Sequence, residues 1–271
     1  MKFSVLLSMV LFTFSLFGQK KEVIDLKSFY GNFTGGFCIY DIKTDKYIQY
    51  NPEHCKIRFS PCSTFKIPNS LIGLETGVIP DTAFVIKYDS IRHPKDANNM
   101  ETEPFKHWYE DLSLKNAFKY SCVWYYQELA RRVGQDKMLE LVRSLNYGNK
   151  DISGGIDNFW LCSSLEISID EQVEFLKQFY SEKLAGISTN TTNDVKSIML
   201  YESTPQYKLY GKTGTGDCMD NKVIGWYVGF LETSTGTKIF AMNIIVNNFN
   251  DLSRNFRIEL TKKVFKKLKF I

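Results

Sequence analysis

Histidine is scarce in this chain: His54, His93 and His107 are the only three in 271 residues. They are scattered and form no H-x-H-x-D grouping, so a hydrolytic zinc centre is excluded and no metal is expected. No C-x-x-C pair occurs among the six cysteines, Cys38, Cys55, Cys62, Cys122, Cys162 and Cys218. A large surplus of one charge is also missing, and a net charge of +4 is too weak to argue for a nucleic-acid partner. Long apolar runs are confined to the N-terminus. There Val5–Phe17, preceded by Met1-Lys2 and followed by Gly18-Gln19-Lys20-Lys21, is too short for a membrane span and reads as a secretory signal over residues 1–18. No later segment approaches a span, so the mature protein is expected outside the cytoplasm, periplasmic or secreted, and off the membrane. Internal repeats, low-complexity stretches and linkers are absent as well.

What remains is residues 19–271, read as one domain large enough to bury a sizeable core. Hydrophobics at 44% and aromatics at 15% exclude a disordered chain. Gly35–Tyr40 and Lys46–Tyr50, joined through Thr44-Asp45, read as a hairpin, and further strands are expected at Tyr207–Tyr210, Val223–Glu232 and Lys238–Asn247. Between these ends the signals are helical. Val123–Val133 closes on Gly134, and Ser168-Ile169-Asp170-Glu171 is a capping box before Val173, Leu176 and Phe179. The Lys-rich end interleaves Lys262, Lys263, Lys266, Lys267 and Lys269 with Phe256, Leu260, Val264 and Leu268, an amphipathic helix whose charged face is solvated. The pattern implies an α+β fold (α/β in the broad sense), with one antiparallel sheet built from both termini. Helices pack on it, and a helical lobe over roughly residues 70–200 is inserted, leaving a cleft between lobes for a site.

Ser63-Thr64-Phe65-Lys66 is the only S-x-x-K in the chain, and it opens an apolar helical run through Ile67, Leu71, Ile72 and Leu74. At i,i+3 Lys66 lies on the same face as Ser63, one turn on. A serine hydroxyl becomes a good nucleophile only beside a base, and a lysine serves as one only when neutral, as apolar neighbours such as Phe65 and Ile67 favour. Pro68 should distort the first turn. Alone, this motif is weak and reads first as a helix cap followed by a surface lysine, and Ser121 alone reads as an N-cap. Lys212-Thr213-Gly214 changes that balance by placing a permanent cation, a hydroxyl and a small residue that lets a substrate approach the backbone. Ser121-Cys122-Val123 falls between the two in sequence, at the start of a helix. S-x-x-K, S-x-V and K-T-G in this order form the penicillin-recognising pattern.

Tyr147-Gly148-Asn149, Asp157-Asn158-Phe159-Trp160-Leu161 and Gly225-Trp226-Tyr227-Val228-Gly229 make the likeness specific. With them the chain resembles the class D (oxacillinase-type) serine β-lactamases from about Gly35 to its end. The resemblance implies a penicillin-recognising serine β-lactamase/transpeptidase-like fold and a β-lactam substrate. It implies Ser63 as the nucleophile and Lys66, converted by CO2 to N6-carboxylysine, as the base for acylation and deacylation, with no other cofactor. Trp160 would donate its indole N–H to that carbamate, while Phe65, Val123, Trp160 and Leu161 keep the pocket dry. Backbone N–H groups of Ser63 and Thr215 would form the oxyanion hole, and Ser121 would relay a proton. Lys212, Thr213, Gly214 and Thr215 would bind substrate, with Arg257 holding its carboxylate. Arg257 fits the expected spacing better than Arg254.

Two similar families stay open as alternatives: a β-lactam-sensing domain that is acylated without turnover, normally preceded by membrane helices, and a penicillin-binding transpeptidase. The cysteines depart from the family pattern. A Cys62–Cys218 disulfide, a Cys38–Cys55 disulfide and six free thiols are all compatible with the sequence. Which β-lactams are preferred, and the oligomeric state, are not legible.

Overall fold

The computed structural model describes residues 21–97, 100–219, 221–252 and 255–271. The expected leader over residues 1–18, and Arg254, lie outside these. In chain order, β1 (Lys21–Val23) and α1 (Lys27–Tyr30) lead into the hairpin β2 (Thr34–Asp41) and β3 (Lys46–Tyr50). Then come α2 (Pro52–Cys55), a 3-10 turn at Cys62–Phe65, α3 (Lys66–Glu75), β4 (Val85–Ile86), β5 (Leu112–Ser113), α4 (Leu114–Lys119), α5 (Val123–Val133) and α6 (Gln135–Ser144). The chain finishes with α7 (Ile169–Tyr180), α8 (Thr189–Ile198), β6 (Leu200–Ser203), β7 (Tyr207–Met219), β8 (Lys222–Thr233), β9 (Gly236–Val246) and α9 (Phe256–Lys267).

The main sheet has the order β1-β3-β2-β9-β8-β7-β6, so strands from both ends of the chain meet at the β2–β9 seam, Phe37 opposite Met242 and Cys38 opposite Ala241. The sequence expectation of a purely antiparallel sheet needs one correction. The edge strand β1 pairs parallel to β3, Glu22 against Ile48, because a short lead-in segment feeds the outer edge without a hairpin turn. β7 is also longer than expected: it continues from Tyr207 through Lys212-Thr213-Gly214, so the motif lies within a strand instead of following one.

Period-2 alternation divides the sheet's two faces. Along β9, Phe240, Met242, Ile244 and Val246 pack with α9 through Val264 and Phe265, whereas Ile239 and Ala241 face the cluster shared with the helical region. Asn243, a polar residue on that second face, is fully buried and accepted there because its Oδ1 meets His54 Nε2 at 2.7 Å. Local signals decide the helices. Ser168 Oγ accepts the Glu171 N–H at 3.2 Å while the Glu171 carboxylate accepts the Ser168 N–H at 2.9 Å, the reciprocal cap expected at the start of α7. Such a cap is worth about 1 kcal/mol. α9 buries Ile258, Leu260, Thr261, Val264 and Phe265 on one side and leaves its lysines outward. Among the described residues no helix is long and apolar enough to cross a membrane.

Candidate active site

The 3-10 turn at Cys62–Phe65 carries Ser63, and α3 begins only at Lys66. Pro68 explains the tight start: it has no N–H to give to the Thr64 carbonyl, so the first turn closes on i,i+3 bonds instead. The turn is over-determined by its neighbours. Thr64 donates its hydroxyl to the Pro61 carbonyl at 2.8 Å and accepts from Gln172 Nε2 at 3.0 Å, and the same Gln172 amide reaches Tyr147 Oη at 3.1 Å. This confinement supports Cys62 in the left-handed region at φ 49°, a conformation costly for a side chain other than glycine.

Lys66 is fully buried and donates to Ser63 Oγ at 2.9 Å. Burial without a carboxylate partner brings its pKa down to about 8. Phe65 stacks on Trp160, with ring centroids 5.5 Å apart, and Trp160 is itself fully buried. Among the described residues the Trp160 Nε1–H finds no hydrogen-bond partner. Leu161 is half-buried against the same core, while Val123, the first residue of α5, lines a cleft with Trp108, Tyr109, Trp124 and Arg92.

β7 lies against the turn that carries Ser63. A Cβ on Gly214 would stand 2.8 Å from the Pro61 carbonyl oxygen and 3.2 Å from the Thr64 nitrogen. Here the structure differs from the sequence reading: the small residue admits the turn's backbone, not only a substrate. Gly216 faces Cys62 in the same way, its Cβ position 2.7 Å from Cys62 Sγ. Lys212, one strand face earlier, donates to Ser121 Oγ at 2.9 Å and to the Thr213 carbonyl at 3.0 Å. Ser121 is not an N-cap. It sits at φ 54° just before α5, and Cys122 holds the cap position.

Arg257 comes from α9 on the far face of the sheet. It reaches the site because Gly225 of β8 has no side chain: a Cβ there would stand 3.0 Å from Arg257 Cδ. Its Nη1 donates to the Gly214 carbonyl at 3.2 Å and also to the Thr215 hydroxyl. Lys66, Lys212 and Arg257 thus converge, all buried, and burial brings each of them below its ordinary pKa.

The chain has relatives among known proteins. The family described as Penicillin binding protein transpeptidase domain matches residues 32–269. The chain is 36% identical over 273 residues to Beta-lactamase OXA-48 of Klebsiella pneumoniae, covering 98% of each. It also superposes on the crystal structure of a class D β-lactamase from Sebaldella termitidis with a TM-score of 0.84 and 37% identity, covering 93% of this chain and 99% of that one. The chain belongs to the class D serine β-lactamases. A weaker likeness extends to Regulatory protein BlaR1 of Bacillus licheniformis, 34% identical over 84% of this chain but 36% of the regulator.

Within this β-lactamase two sequence expectations are corrected. Lys212, read as a permanent cation, is held well below the ordinary lysine pKa by burial and by the charges of Lys66 and Arg257. Neither anticipated cysteine pairing forms, nor are all six cysteines free: Cys162 bonds Cys218, and Cys38, Cys55, Cys62 and Cys122 are thiols. Cys62 and Cys218 do border one another, 3.6 Å apart at sulfur. Ser60 was missed altogether. Its hydroxyl donates to the Trp160 carbonyl at 3.0 Å and accepts the Cys162 N–H at 2.9 Å, and its own carbonyl accepts Trp226 Nε1 at 3.0 Å. It straps the Trp160 segment of the β-lactamase to the turn that carries Ser63, and no local pattern marks a lone serine for that task. Tyr126, whose ring centroid is 5.2 Å from Lys66 Nζ and whose hydroxyl meets Ser70 Oγ at 2.8 Å, escaped notice as an ordinary helix residue.

Proposed function

We propose that this enzyme hydrolyses the amide of β-lactam antibiotics by acyl transfer through Ser63, protecting its producer, and that it is exported after loss of residues 1–18 to work as a single domain over 19–271. The observation that carries the chemistry is Lys66: buried, without a carboxylate, brought to about 8, and 2.9 Å from Ser63 Oγ. The surroundings fit a carbamate on Lys66. The partnerless indole N–H of Trp160 is a buried donor in need of an acceptor, and the depressed pKa leaves the neutral amine that CO2 requires. When present, that group supplies an oxygen base strong enough to take the Ser63 proton.

Ser63 Oγ attacks the lactam carbonyl carbon, losing its proton on the Lys66 side. The oxyanion is received by the backbone N–H groups of Ser63 and Thr215, each worth about 3 kcal/mol. Ser121 passes a proton to the lactam nitrogen as the C–N bond breaks, and Lys212, donating to the Ser121 hydroxyl, favours its role as a relay. Arg257, Lys212 and Thr213, with Gly214 and Thr215 shaping the strand edge, hold the substrate carboxylate. Phe65, Val123, Trp160 and Leu161 exclude bulk water, and deacylation admits one water molecule from which a proton again leaves on the Lys66 side.

The likeness to BlaR1 supports a second reading, a sensor that is acylated once. A chromogenic cephalosporin separates the two. Hydrolysis of many equivalents per protein supports the enzyme, and a single stoichiometric burst with a stable acyl adduct by mass spectrometry supports the sensor.

A further inference from the structure

Three sulfurs converge on one face of Gly216. A Cβ there would stand 2.6 Å from Cys162 Sγ, 2.7 Å from Cys62 Sγ and 2.8 Å from Cys218 Sγ. The three sulfur atoms lie within 4.8 Å of one another, and they come from separate parts of the chain: the nucleophile's turn, the segment after Trp160-Leu161, and the end of β7. Their arrangement is bent. With Cys162 bonded to Cys218, and Cys62 Sγ 3.6 Å from Cys218 Sγ, a Cys62–Cys162 separation within 4.8 Å excludes the in-line approach that thiol–disulfide exchange needs. A triangle suits a metal better than an exchange relay. Thiolates on a tetrahedral zinc ion at about 2.3 Å stand about 3.8 Å apart, close to the Cys62–Cys218 spacing already present. The Cys162–Cys218 edge, now a covalent bond, has to open.

We propose that, once the Cys162–Cys218 bond is reduced, Cys62, Cys162 and Cys218 form a thiolate site for a thiophilic cation of the zinc class, clamped between the turn of Ser63 and the β7 edge at Thr215. Reduction takes two electrons and two protons from a dithiol reductant, which leaves as its own disulfide. Zinc then displaces one proton from each of the three thiols, and water completes four-coordination from the side where Cys162 is exposed. Disulfide and metal are mutually exclusive states of the same sulfurs. Because Cys62 is bonded to Ser63 in the chain and Gly216 to Thr215, either state bears on the spacing of the proposed nucleophile and oxyanion donor.

The test needs no substrate, so it stands or falls apart from the assignment of hydrolysis. Full-length protein is reduced with a dithiol, freed of reductant under anaerobic conditions, and titrated with zinc, using a chromogenic chelator to count bound metal and cobalt to read thiolate-to-metal bands. One equivalent bound by reduced protein and none by oxidised protein is the expected result. Cys162→Ser, at the exposed corner, should lower the affinity at least ten-fold with the far-ultraviolet spectrum unchanged, and Cys62→Ser should do the same. Cys38→Ser should bind zinc as the unsubstituted protein does. Failure of the reduced protein to take up zinc, or equal uptake by Cys162→Ser, would overturn the site.

Discussion

A lysine with its ordinary pKa of 10.5 is neutral in roughly three molecules in ten thousand at pH 7, whereas at about 8 it is neutral in roughly one in ten. Burial of Lys66 therefore raises the reactive amine about 300-fold at neutral pH. The sign follows from the chemistry: protonation removes the form that captures CO2, so occupancy of the carbamate should fall as pH drops through about 8, close to ten-fold per unit below it. Protein equilibrated with carbon-13 bicarbonate should show a carbamate resonance whose intensity declines along that curve. Hydrolysis of a chromogenic cephalosporin in degassed buffer should decline in parallel and recover when bicarbonate is added. Trp160→Phe keeps an aromatic ring beside Phe65 and removes the indole N–H together with part of the indole's bulk. Loss of one hydrogen bond to a charged acceptor, about 1.5–3 kcal/mol, should weaken CO2 retention roughly 10- to 100-fold. Turnover that ignores degassing at pH 6, or a labelled resonance absent at pH 8 while activity persists, would refute the assignment of the base.

Arg257→Ala should raise KM steeply and lower kcat/KM by about 2–3 kcal/mol for substrates carrying the ring carboxylate, and Arg257→Lys should recover little because Nη1 is already held by Gly214 and Thr215, and an ammonium cannot keep that anchor while making a planar, bidentate contact with the carboxylate. A substrate analogue lacking that carboxylate should be nearly indifferent to either change. Gly214→Ala drives a Cβ to 2.8 Å from a backbone carbonyl that cannot swing away. The substitution should cost about 1–3 kcal/mol, seen as a lowered melting temperature, and should slow acylation more than it weakens binding. An unchanged melting temperature would show that β7 and the turn are less tightly joined than their spacing implies.

Much of the site was legible in the sequence because its chemistry is written over short spacings. Ser63 and Lys66 share a helical face at i,i+3 whatever surrounds them, the Ser168–Glu171 cap closes within four residues, and the hairpin at Gly35–Tyr50 needs only alternation and a turn. The order of the S-x-x-K, S-x-V and K-T-G motifs carried the family. The fold then decided what spacing along the chain cannot express. Lys212 changed from a fixed cation to a depressed one because two other cations were folded against it in a water-poor site. Gly214 and Gly225 took their meaning from what passes beside them, a turn and an arginine. The pairing of Cys162 with Cys218, the strap through Ser60 and the bridge of Gln172 between Thr64 and Tyr147 each join residues 25 to 108 positions apart. Contacts of that reach are set by which faces of sheet and helix come together. No local pattern of residue types encodes them, because any serine, glutamine or cysteine satisfies the local backbone equally well.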